Sequence, residues 1–116
     1  MIRNNTKNTI ISRDYKVCKS YWSKALGLMF SFRPRALVMF FVPEQRVSLH
    51  MFFVFFPIDV LFLDKKNRVI ELRQHLLPFA VYQSSAKCSF VVELPAGSIS
   101  KSRTSIKDTL HIDKLN

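Results

Sequence analysis

His50, Asp59 and Glu93 are the residues of this chain whose setting could support chemistry. Each stands among large apolar neighbours: Leu49 and Met51 beside His50, Ile58 and Val60 beside Asp59, Val92 and Leu94 beside Glu93. An ionised group in such surroundings is costly unless paired, and desolvation raises a carboxyl pKa and lowers that of a histidine. Two such groups facing one cleft would form a general acid and base. The enzymatic reading is therefore a small hydrolase or lyase using His50 with Asp59 or Glu93. The structural reading is equally concrete. Asp59, directly after Pro57-Ile58, is placed to accept hydrogen bonds from backbone N–H groups at a bend between strands. Glu93 points away from both of its neighbours, toward solvent. With no nucleophile motif nearby, His50 reads as an ordinary core or surface histidine. Met51, Asp59 and Glu93 are the candidate ligand contacts.

Other chemistries find little footing. Cys18 and Cys88 are seventy positions apart with no CxxC, which favours buried free thiols in a reducing compartment over a disulfide. His50, His75 and His111 share no spacing suited to one ion, so no metal site and no cofactor are expected.

These candidates sit in or near strongly apolar segments. Twelve of the sixteen residues from Leu49 to Asp64 are Leu, Ile, Val, Met or Phe. Phe and Val favour strand, so Leu49 to Phe56 is expected as a strand apolar on both faces and covered on both, ending at Pro57. A second strand follows from Val60 to Leu63, then a turn at Asp64-Lys65-Lys66-Asn67. Arg68 to Leu72 returns as its partner, with Val69 and Glu71 on one face and Ile70 and Leu72 on the other. Further strands are expected at Thr6 to Ser12, Ala36 to Val42 and Phe90 to Leu94, with an edge strand at Thr109 to Asp113. A short helix from about Ser20 would align Trp22, Leu26 and Met29, and residues 98–107 have room for one helical turn. Six or more short strands without a βαβ rhythm predict a mainly β chain, a small antiparallel β-sandwich or open barrel with one or two short helices.

At 116 residues the chain can bury one core, so residues 1–116 are expected to form a single domain. A hydrophobic content of 48% excludes disorder. A transmembrane helix needs about 20 consecutive apolar residues, and the central run is interrupted by His50, Pro57 and Asp59. The opening MIRNNTKNTII is too polar for a secretion signal, which makes a cytoplasmic location the expectation.

The net charge is +10 and unevenly placed: residues 1–46 hold nine Lys or Arg against two acids, and the other seventy hold nine against six. A basic surplus concentrates anions, including nucleic acid and anionic lipid. No basic helix, RNP-like strand or finger accompanies it, so any nucleic-acid binding would be nonspecific.

Three segments in order carry a family resemblance: Gly27-Leu28-Met29-Phe30, then Met51 through Asp64 with its Pro57, Asp59 and LFLD ending, then Glu93-Leu94-Pro95-Ala96-Gly97. From about residue 9 to 113 the chain resembles the domain of unknown function 192 family. The resemblance implies a β-sandwich-like fold and no established activity. The HMFFVFFPID form is more similar to archaeal members, since many bacterial ones place polar residues where this chain has Phe52-Phe53-Val54. The family's closing Gly-Asp is Lys107-Asp108 here, so a turn needing positive φ would fall on a lysine or be built differently.

Three functions from different classes follow. The first is a non-catalytic ligand- or partner-binding module, its apolar strands and basic rim taking a small anionic or amphipathic ligand, a partner protein or a second copy of itself. The second is the hydrolase or lyase above. The third is nonspecific association with nucleic acid or anionic membrane through residues 1–46.

Overall fold

The computed structural model describes residues 1–18, 35–51 and 54–113. The helix expected from about Ser20, the Gly27–Phe30 segment and Phe52-Phe53 lie outside the described residues. The described residues form ten strands and one short helix: β1 (Ile2–Asn4), β2 (Thr9–Ser12), β3 (Lys16–Cys18), β4 (Leu37–Gln45), β5 (Ser48–His50), β6 (Ile58–Leu63), β7 (Val69–Leu76), β8 (Val81–Gln83), β9 (Cys88–Pro95), α1 (Ser98–Ser102) and β10 (Leu110–Ile112). A five-stranded sheet in the order β3-β4-β9-β6-β7 is the centre of the fold. A three-stranded sheet, β10-β1-β2, and a two-stranded ribbon, β5-β8, complete it. All pairs are antiparallel except β3 with β4, so the chain is mainly β as its alternation requires.

The central sheet is covered on both faces. On one side Leu37, Met39, Val60, Phe62 and Val91 pack with Cys18, Val47, Leu49, Met51, Val54 and Leu76, which ties the β5-β8 ribbon to the sheet. On the other, Val38, Leu61, Leu63, Val92 and Leu94 pack with Ile2, Ile99, Leu110 and Ile112, from the small sheet and α1. The doubly covered strand is β6, all six of whose residues are buried. It hydrogen-bonds β7 on one edge and β9 on the other.

The strand expected from Leu49 to Phe56 is corrected on this point. Pairing stops at His50, whose partner is Val81. Met51 O then accepts both Val54 N–H, at 3.2 Å, and Phe79 N–H, at 2.8 Å, so the chain turns out of the ribbon. Met51 and Val54 are buried, while Phe55 is exposed. Apolar content drives burial, but a strand also needs a partner with free N–H and C=O groups. The ribbon offers only three residue pairs.

Elsewhere the turn chemistry falls as expected. Asp64 closes the β6-β7 hairpin by accepting Lys66 and Arg68 N–H groups, each at 2.9 Å, with Asn67 at φ +63°. A bulge in β7 alters the facing predicted for that strand: Phe62 opposes Glu71 while Leu63 opposes Val69, leaving Ile70 as the extra residue. Val69 and Leu72 consequently share one core and Ile70 joins the other. The turn before β10 does fall on a lysine, Lys107 at φ +79°. Next to it, the buried Asp108 accepts Asn4 Nδ2 at 2.8 Å, Lys7 Nζ at 2.9 Å and Ser105 N–H at 3.0 Å, tying β1 to the β10 approach. Desolvation would raise the Asp108 pKa, but those three donors outweigh it and hold it below the usual carboxylate range.

Candidate functional site

Register places the two central carboxylates. Across β6 and β9, Asp59 opposes Leu94 and Val60 opposes Glu93. Opposed residues share a face and successive residues alternate, so Asp59 and Glu93 project from opposite faces of the central sheet. Asp59 is buried toward α1. Its Oδ2 accepts Gly97 N–H at 3.1 Å and Ile99 N–H at 2.9 Å, and its Oδ1 accepts His75 N–H at 3.0 Å. Gly97, at φ +95°, presents its amide to that carboxylate from a conformation that suits glycine. Asp59 thus organises the β9-α1 turn and the end of β7.

Glu93 faces the other core. It is 8% exposed, not solvent-facing as its local sequence suggests, because this face of the sheet, with Leu37, Val60 and Val91, is covered by the first core. The row across the sheet on this face runs Lys16, Leu37, Glu93, Val60, Arg73. No hydrogen bond reaches the Glu93 carboxyl from the described residues, and burial pushes its pKa up to about 7. Cys18 is within electrostatic reach. Burial raises its thiol pKa, Lys16 and Arg35 draw it down, and Glu93 adds to the rise. Chemically, Glu93 is a carboxyl able to hold or release a proton near neutrality inside an apolar layer.

At the end of the same sheet lies a cleft of about 420 Å³, lined by Ser12, Asp14, Tyr15, Lys16, Arg35, Ala36 and Pro95. Lys16 N–H donates to Ala36 O at 2.9 Å, which fixes β3 against the start of β4 and sets the two cations on one wall. Neither Lys16 nor Arg35 forms an ion pair among the described residues. The Tyr15 hydroxyl donates to Asp113 O, holding its ring in place. Pro95, two residues beyond Glu93 on β9, brings this cleft next to the buried carboxyl.

His50 stands exposed on the β5-β8 ribbon, and the Asp59 carboxylate is taken up by three backbone amides. The structure does not bring His50, Asp59 and Glu93 together. Met51 packs in the first core, 1% exposed, its backbone serving the turn described above. Lys16 and Arg35 were not singled out by sequence; the signal available was the basic surplus of residues 1–46. Both cysteines are buried free thiols, and burial pushes the Cys88 thiol pKa to about 11. Among the described residues no group of three His, Cys, Asp or Glu could hold a metal ion, and no helix is long and apolar enough to cross a membrane.

The family model of DUF192, described as Uncharacterized ACR, matches residues 2–112. The chain belongs to the DUF192 family. A UPF0127 protein of Pyrococcus horikoshii is 37% identical over 100 residues, covering 84% of this chain and 85% of that one. A UPF0127 protein of Pyrococcus furiosus is 30% identical over 115 residues and 97% of each chain. Two crystal structures share the fold of this DUF192 member at TM-score 0.79, each covering 84% of the chain. One, a protein of unknown function from Novosphingobium aromaticivorans, is 16% identical with 74% of that chain covered. The other, titled a putative transcription regulator from Sinorhizobium meliloti, is 22% identical with 79% covered. The archaeal relatives agree with the archaeal form of the HMFFVFFPID segment.

Proposed function

We propose that the chain is a non-catalytic binding module whose sheet-end cleft takes a small anionic molecule. One observation carries this: Lys16 and Arg35 share a cleft wall with no carboxylate partner bonded to either among the described residues. Such a pair attracts and orients phosphate or carboxylate groups, the arginine through its bidentate fork. Asp14 on the same lining adds an acceptor, so a molecule bearing a hydroxyl or ammonium group besides its anion fits better than a bare anion. The volume suits a metabolite, at the lower end of the range of about 300–1,000 Å³ usual for such pockets.

A thermal-shift series tests the reading with inorganic phosphate, glycerol phosphate, malate and serine, each against an equal concentration of chloride. A molecule that binds only the folded chain raises its melting point, and at a hundredfold its Kd it adds about 2.7 kcal/mol. The expected result is saturable stabilisation by an anion carrying a hydroxyl, lost in Lys16→Ser and Arg35→Ser. Stabilisation that persists undiminished in both variants, or none from any of the four compounds, would overturn it.

A further inference from the structure

The segment joining β7 to β8 displays Leu77, Phe79 and, at the start of β8, Val81 at every second position. They are 57%, 57% and 65% exposed. The backbone that presents them is tightly bonded. Phe79 N–H donates to Met51 O at 2.8 Å, Ala80 N–H to Leu77 O at 3.2 Å, and Met51 N–H to Ala80 O at 2.7 Å. Phe79 is held at φ +65°, a region disfavoured for any residue with a bulky side chain. An aromatic ring is therefore fixed in water by a conformation that glycine would adopt more readily.

Acidic residues are sparse in the sequence on either side of this segment. No Asp or Glu stands between Glu44 and Asp59 or between Glu71 and Glu93, whereas those stretches hold Arg46, Arg73 and Lys87 together with His50 and His75. The Arg73 guanidinium lies 5.3 Å over the ring of Tyr82, on the face of the ribbon opposite to Val81. The nearest carboxylates in sequence are occupied: Asp59 by three backbone amides, Glu71 by the Tyr82 hydroxyl and by the amides of Ser85 and Ala86 at 2.9 and 3.2 Å.

Size decides between occupants. Three side chains exposed to this extent present on the order of 300 Å² of apolar surface, whereas a stable interface between protein chains takes about 800 Å² per partner. A few apolar side chains beside cations are enough for a peripheral lipid contact, in which grease enters the headgroup boundary and basic groups meet anionic headgroups. We infer that this loop docks the protein on an anionic lipid surface, with Leu77, Phe79 and Val81 inserted and the net charge of +10 supplying the attraction to anionic headgroups.

Co-sedimentation with vesicles of phosphatidylcholine alone and of phosphatidylcholine mixed with phosphatidylglycerol tests this on the full chain. Binding is expected to the mixed vesicles only and to weaken by about tenfold in Phe79→Gly and again in Leu77→Ser. Phe79→Gly is informative because glycine suits φ +65°, so the variant should fold at least as stably as the parent while losing affinity. Three results would each overturn the inference: no binding to either vesicle, binding to mixed vesicles that both variants retain in full, or a self-association of the parent that Phe79→Gly abolishes. The last would assign the patch to a second copy.

Discussion

Asp59 and Glu93 lie one register step apart on adjacent strands and point to opposite faces of the central sheet. That single step separates their physical chemistry. Asp59 meets three backbone amides and stays with them, while Glu93 meets an apolar layer and no donor among the described residues. Two buried carboxyls from similar local sequences thereby take up unlike roles.

For Asp59 the role is to satisfy Gly97, Ile99 and His75 N–H groups that would otherwise lack an acceptor. Asp59→Ala is expected to destabilise the fold by about 3 kcal/mol, since a buried donor left unpaired costs about 1–3 kcal/mol. Asp59→Asn keeps one acceptor oxygen and should fall in between. Urea unfolding gives the magnitude, and amide exchange at Ile99 locates the loss. Equal protection of that amide in parent and alanine variant would contradict the assignment.

For Glu93 the signature is a pH dependence. Its folded pKa of about 7 lies above the ordinary 4.5, so between these values the native chain retains a proton that the unfolded chain has released. Stability therefore falls as pH rises through that window and levels off above it, by on the order of 3 kcal/mol in total. Glu93→Gln carries no charge at any pH. The difference in unfolding free energy between parent and variant should grow from pH 4.5 to 7 in favour of glutamine, then stay constant. A difference that does not vary with pH would mean that the carboxyl is not desolvated.

Lys107 holds φ +79° in the turn before β10, with its N–H bonded to Val69 O at 2.8 Å and its side chain exposed. Lys107→Gly should relieve the backbone without disturbing a contact. The gain is set by the cost of the left-handed region, about 1–2 kcal/mol, less the extra freedom glycine has when unfolded, about 0.4–1 kcal/mol. The expected outcome is a melting point raised by the equivalent of up to about 1.6 kcal/mol. A lower melting point for the variant would show that the turn depends on the lysine side chain.

Local sequence by itself determined the mainly β class, the hairpin at Asp64 to Asn67, the cores of β4, β6 and β9 and the edge strand at Leu110–Ile112. These follow from alternation and from Asn and Asp turn chemistry, both of which act within a few residues. The family match likewise rests on short segments in order. Local sequence also marked Asp59 and Glu93 as carboxyls in apolar company. Only the tertiary structure decided which carboxyl finds donors, which face each occupies, that the chain leaves the ribbon at Met51, and that Lys16 and Arg35 share a cleft. The physical reason is that hydrophobicity specifies burial, whereas strand pairing and charge pairing depend on partners far along the chain. His50 pairs with Val81, Asp59 bonds Ile99, and Lys16 bonds Ala36, and no local pattern announces any of the three.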